Sequence, residues 1–182
     1  MTDIDATRKI LTDAFGRVRE GVAELTDGLS DETVGWQPLP GANSIAWLLW
    51  HLSRVQDDHL ADAAGTDQIW LRYRDEFALP LEADDTGFGH SAEQVARVRV
   101  PADLLARYHA DVHTATIAYL DQLTTKELDR VIDRHWDPPV TVAVRLVSVI
   151  DDCAKHLGQA EYVRGLAVRR NGGSTSPEGI GR

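Results

Sequence analysis

Apolar residues recur at three- and four-residue spacing in four long stretches of this chain, the periodicity of helices that each bury one face. The first stretch runs from Ile4 to Leu29 through Ile10, Leu11, Ala14, Phe15, Val18, Val22 and Leu25. A loop of breakers from Gly35 to Gly41, with Pro38 and Pro40, leads to Asn43-Ser44, either of which can cap a second helix by accepting its orphan N–H groups. That helix is predicted to end near Ala64. Its inward stripe is Ile45, Leu48, Leu52 and Val55, and the same spacing rule places His51 inside the stripe. A third helix follows Pro101, with Leu104, Leu105, Tyr108, Val112, Ala115, Tyr119 and Leu123 on its buried face, and ends near Thr124. The face of a fourth reads Leu146, Val149, Ile150, Cys153, Leu157, Ala160, Val163 and Leu166, with Asp152 and His156 close beside it.

Between the second and third helices, residues 65–100 keep no period and offer one short helical candidate, Ser91 to Val98. A connection this long either spans a bundle or covers a site. A short turn at Lys126 to Asp129 and the stiff Trp136-Asp137-Pro138-Pro139 precede the fourth helix. The fold class predicted is therefore all-α: a four-helix bundle with a long crossover between helices two and three, in place of the simplest up-down-up-down chain. Residues 1–170 form one domain on this reading, and 171–182, rich in Gly, Ser, Thr and Pro, a solvated tail.

Composition narrows the functional classes. Nineteen Lys and Arg against 29 Asp and Glu leave a formal charge of −10, which repels phosphate backbones and anionic bilayers. Nucleic acid is thus not an expected partner. The longest apolar patch, Ala46 to Trp50, is far too short for a membrane span, and the start of the chain has neither the basic residues nor the apolar run of a signal peptide. With a single cysteine, Cys153, and no internal disulfide, the cytoplasm is the expected location.

Asp152 and His156 are four apart, which on a helix puts them about 40° apart in azimuth and about 6 Å in rise, near enough to hold one ion. His51 would join them from another helix. Imidazole and carboxylate suit zinc, nickel, iron or manganese, and three protein ligands leave a coordination position open for water or substrate. On spacing alone the plainer reading is better: a satisfied core histidine and a solvated carboxylate. His109 and His113 share the i, i+4 spacing, but flank the third helix's stripe at the edge of a solvated face, with no third ligand indicated. Asp58 and His59 offer a second-layer acceptor or nothing, and His90 and His135, in loops, carry no assigned role. Cys153 reads as a small core residue rather than a nucleophile. Trp47 is expected in the core, while Trp36, Trp50, Trp70 and Trp136 are open between core and pocket lining.

The stretches Trp47-Leu48-Leu49-Trp50-His51-Leu52-Ser53-Arg54-Val55 and Asp152 to Gly165, with Asp85-Thr86-Gly87-Phe88-Gly89 and Val144-Arg145-Leu146, resemble the DinB/YfiT-like superfamily from about residue 4 to about residue 170. The resemblance implies a four-helix bundle, commonly dimeric, with a metal held by a histidine of helix two and two residues of helix four. Carried over, these ligands are His51, Asp152 and His156; many members have histidine where this chain has Asp152. Members of the superfamily include S-transferases and isomerases that use a low-molecular-weight thiol, mycothiol or bacillithiol. The resemblance thus implies a divalent metal, zinc or nickel first, and a thiol cofactor. Arg145, Gln159, Tyr162 and Arg164 are the cofactor-binding candidates. The function expected is a metal-dependent, mycothiol-type S-transferase or isomerase acting on a small electrophile, and the assembly a homodimer. A metal-dependent hydrolase and a non-catalytic binding bundle are the alternatives.

Overall fold

The computed structural model describes residues 3–172. Four long helices dominate: α1 (Asp3–Thr26), α3 (Ile45–Ala64), α6 (Ala102–Gln122) and α8 (Val142–Gly172). Shorter pieces join them: α2 (Asp31–Val34), α4 (Trp70–Phe77), α5 (Ala92–Arg97), α7 (Thr125–Leu128), and a hairpin of β1 (Val131–Asp133) with β2 (Val140–Thr141).

Helices α1 and α3 each pack on both α6 and α8, so α1 and α3 stand diagonally across the bundle. Side-chain contacts give the directions. Arg8, near the start of α1, donates to the Leu123 carbonyl just beyond α6, so α1 and α6 are antiparallel. Gln56 donates to Thr116 at 2.8 Å and Ser53 meets His109 at 3.1 Å, numbers that rise together and make α3 and α6 parallel. Along α3 and α8 the numbers run oppositely: Leu52 with Cys153, and His59 with Arg145. The bundle is therefore up-down-down-up. Because α3 is about 30 Å long at 1.5 Å per residue, a parallel α6 requires a segment that climbs back the whole bundle. Residues 65–101 are that segment, which bears out the predicted crossover.

Local chemistry sets most boundaries. Ser44 caps α3 through the Trp47 amide, Gly65 closes it in the left-handed conformation, and Ser91 with Gln94 forms a capping box on α5. The first helix stops at Thr26, short of the predicted Leu29, and Ser30 caps a separate turn, α2. The short candidate at Ser91–Val98 is α5. Beyond it, the return segment holds a second helix that the periodicity did not predict. That helix, α4, is capped from a distance: Asp57 of α3 accepts the Ile69 and Trp70 amides at 2.9 and 2.7 Å. The stiff Pro-Pro stretch is the turn of the hairpin, in which Val131 faces Thr141 and Asp133 faces Val140. Helix α8 starts at Val142 and reaches Gly172, two residues into the expected tail; residues 173–182 lie outside the described ones.

Covered by α6, α8 and the return segment, α3 is buried almost throughout, polar residues included. Arg54 is fully buried: it donates to the Asp85 carbonyl, Gln68 and Tyr108, lies 3.6 Å from the Asp57 carboxylate, and stacks over Trp70. Removing one partner of such a buried pair costs about 3–5 kcal/mol, so this cluster fixes the start of the return segment to α3. His109 corrects the sequence reading. It is 1 % exposed, not at a solvated edge, because α6 is wedged between α1 and α3. Among the described residues no helix is long and apolar enough to cross a membrane.

Candidate metal centre

Antiparallel packing of α3 against α8 sets position 51 opposite positions 152 and 156. One ligand atom each from His51, Asp152 and His156 lies within 4.8 Å of the others, and among the described residues no other set of three His, Cys, Asp or Glu converges in this way. Asp152 Oδ1 is 3.6 Å from His156 Nε2, and the two imidazoles meet edge to face at 4.7 Å. Trp47 stacks on His51 at 4.6 Å and closes its other side.

Hydrogen bonds decide which nitrogens are free. His51 Nδ1 lies 2.5 Å from the Thr86 carbonyl, which can only accept, so Nδ1 carries the proton and Nε2 keeps its lone pair. His156 Nδ1 is 2.9 Å from Gln159 Oε1, which again leaves Nε2 as the ligand atom. Asp152 Oδ2 is buried and has no hydrogen-bond partner. An orphaned carboxylate oxygen beside two lone-pair nitrogens is a donor set that fits a divalent cation, and metal-ligating histidines characteristically donate their second N–H as these do.

Electrostatics agree with that fit. Burial lowers the His51 pKa, against the hydrogen bond to Thr86, and so favours the neutral, ligating form. The Asp152 carboxylate raises His156. Burial pushes Asp152 up, but His156 outweighs it and the net direction is down. The Asp152 carboxylate and the His156 imidazole thus each favour the other's charged form.

The return segment supplies the wall above His51. Gly87, at φ +91°, passes so close that a Cβ there would lie 2.9 Å from His51 Nδ1 and from the Trp50 ring. Beside the three residues opens a cavity of about 380 Å³, lined by His51, Asp152, Val55, Val149, Phe88, Ser148, Thr86, Asp58 and His59. Its far end is fixed by a chain of contacts: Asp58 lies 3.6 Å from His59, His59 3.4 Å from Arg145, and Arg145 3.4 Å from Asp133 on β1. Burial, then Arg145, lowers the His59 pKa.

The cofactor-binding candidates separate. Arg145 lies behind His59, outside the cavity lining, and Gln159 meets His156, whereas Tyr162 is exposed and Arg164 donates to the Glu24 carbonyl of α1 at 3.1 Å. Tyr162 and Arg164 lie about 15 and 18 Å along the helix axis from Asp152. Cys153 is buried in the core, where burial pushes its thiol far up, away from thiolate character. His109 Nδ1 meets Ser53, and among the described residues no third ligand joins it and His113. Trp47, Trp50 and Trp70 are buried, while Trp136 is exposed. Thr86, Asp85, Gly87 and His90 went unread as site residues; the glycines flanking Phe88 were the one sequence signal of a close backbone approach.

Residues 10–167 match the family described as mycothiol-S-transferase. A solved structure, described as a conserved protein of locus from Enterococcus faecalis, is 35% identical and superposes with a TM-score of 0.82, covering 88% of this chain and 96% of that one. No curated protein matches the chain. A match over most of the length, on a bundle in which α3, α8 and the crossover meet at one site, establishes that this chain belongs to the mycothiol-S-transferase family of the DinB/YfiT-like superfamily.

Proposed function

We propose that the protein is a metal-dependent transferase that couples a low-molecular-weight thiol of the mycothiol type to a small electrophile. The observation that carries this reading is the convergence of His51, Asp152 and His156, with an unpartnered carboxylate oxygen, at the edge of a cavity. His51, Asp152 and His156 would hold a dication, which would supply the Lewis acidity that makes a bound sulfhydryl a thiolate at neutral pH. The chain's own residues do the rest. Thr86 and Gln159 fix the two imidazoles so that both Nε2 lone pairs point at one place. Val55 and Val149 give the cavity apolar walls beside the space an electrophile would take, and Phe88 stands exposed at its edge. Cys153, buried and far from thiolate, leaves the nucleophile to an external thiol.

The same proposal includes a cytoplasmic location, where thiols stand reduced, and a homodimer. Val144 and Val147 are exposed one turn apart on α8, and Trp136 is exposed at the hairpin tip; closed two-fold pairs are the commonest soluble assembly. Light scattering at micromolar concentration should give twice the chain mass, and the single-chain mass would contradict the dimer.

The test of function is the untagged full-length protein, analysed for metal and assayed with mycothiol, bacillithiol or no thiol against a panel of electrophiles, beside His156→Ala. Stoichiometric metal and thiol-dependent turnover, both lost in a folded His156→Ala, are expected. Thiol-independent turnover would replace the transferase with a hydrolase. Turnover with mycothiol that survived removal of the metal would overturn the reading.

A further inference from the structure

Thr86 brings no side-chain chemistry to the centre, yet its carbonyl decides which nitrogen of His51 faces Asp152 and His156. Backbone in a long connection does not stay within 2.5 Å of an imidazole unless something holds it. Asp85 is placed to do so. Its carboxylate accepts the Gly87 amide at 2.7 Å, and both its oxygens face His90 Nε2 at 2.9 and 2.8 Å. Its backbone carbonyl accepts Arg54 Nε at 3.1 Å. Thr86 is thereby clamped between two fixed neighbours.

His90 is held in turn. The Trp47 indole N–H donates to His90 Nδ1 at 3.1 Å, which makes Nε2 the protonated nitrogen and a donor to Asp85. Trp50 stacks on His90 at 5.8 Å, while Trp47 stacks on His51. The contacts close a ring from Trp47 through His90, Asp85 and Thr86 to His51 and back to Trp47.

We propose that Asp85 and His90 are positioning residues for the centre: they hold the Thr86 carbonyl on His51 Nδ1 and so keep Nε2 turned toward Asp152 and His156. The consequence for metal rests on the reading of His51 as a ligand; the consequence for the His51 tautomer does not.

Two measurements on the full chain separate these. In metal-free protein, ¹⁵N-edited spectra of the histidine rings should show His51 as a single Nδ1–H tautomer, and zinc affinity should be measured by chelator competition. Asp85→Ala and His90→Ala should each turn His51 into a tautomer mixture and weaken zinc about 10- to 100-fold, the usual scale for groups that orient a ligand. His90→Gln, whose amide can still donate to Asp85, should fall between these and the native protein. If Asp85→Ala does not fold, Asp85→Asn keeps the shape, weakens the acceptor and carries the same comparison. Folded variants that retain the single tautomer and native zinc affinity would overturn the proposal, while His51→Ala losing zinc in the same series would leave the metal reading standing. A native protein that binds no zinc, but whose His51 tautomer still depends on Asp85 and His90, would uphold the positioning role and remove the metal reading.

Discussion

Gly87→Ala perturbs the close passage of the return segment over His51, and its effect can be worked from two separable terms. At φ +91° an L-residue pays for the left-handed conformation, about 1–2 kcal/mol. The new methyl would also sit 2.9 Å from His51 Nδ1 and from the Trp50 ring, both on buried, well-packed side chains that cannot swing away. Overpacking of this kind costs about 1–3 kcal/mol. The total, about 2–5 kcal/mol, corresponds to a melting temperature lower by roughly 5–20 °C in a domain of this size. Gly65 and Gly89, at φ +67° and +73°, have nothing within 4 Å of their Cβ positions, so Gly65→Ala and Gly89→Ala carry only the first term. Urea denaturation of the three variants therefore isolates the contact. If all three lost the same stability, the loop would not approach His51 as described.

Further outcomes follow from the core and the centre. Burial, reinforced by His113 and Arg19, holds the His109 pKa down to about 3. Its folded pKa thus lies below its unfolded value, so the stability tied to its neutral form is complete above about pH 6.5 and is lost as pH falls toward 3. About 2 kcal/mol should go between pH 6.5 and 5, and urea midpoints of His109→Gln should decline less steeply over that interval than those of the native protein; equal slopes would refute the buried neutral imidazole. Asp152→His removes a negative charge from the centre and leaves it with a larger net positive charge, so it should retain metal and move the pH profile of thiol-dependent turnover toward lower pH, against the native profile as reference. Cys153→Ala should keep thiol-dependent turnover and lose only about 1 kcal/mol of stability in a thermal melt; abolished turnover in a folded variant would make Cys153 the nucleophile after all.

The four long helices were legible because each buries a stripe whose spacing survives in the sequence, and His51 could be placed inward by the same arithmetic. The crossover was legible from the length of 65–100 alone. Helix α4 was not, because its sequence carries only Trp70 and Phe77 as buried residues and its cap, Asp57, comes from another helix. The hairpin is too short to show alternation. His109 was misread because a helix packed on two sides buries more than one stripe. Thr86 acts through its backbone, which no residue type announces, and the Asp85–His90 contact owes its place to the fold of a loop rather than to helical spacing.

The buried Arg54 cluster also governs how a molecule reaches the cavity. Four acceptors, at Asp57, Gln68, Asp85 and Tyr108, surround one guanidinium, and three of them belong to elements other than α3. Lifting the return segment off α3 would strip the buried guanidinium of two of those acceptors, Gln68 and Asp85, a cost that keeps the segment and the helix beneath it together as one cooperative unit. Phe88 and Ser148, the two exposed residues of the cavity's lining, then mark the side from which a molecule meets it without uncovering that buried charge.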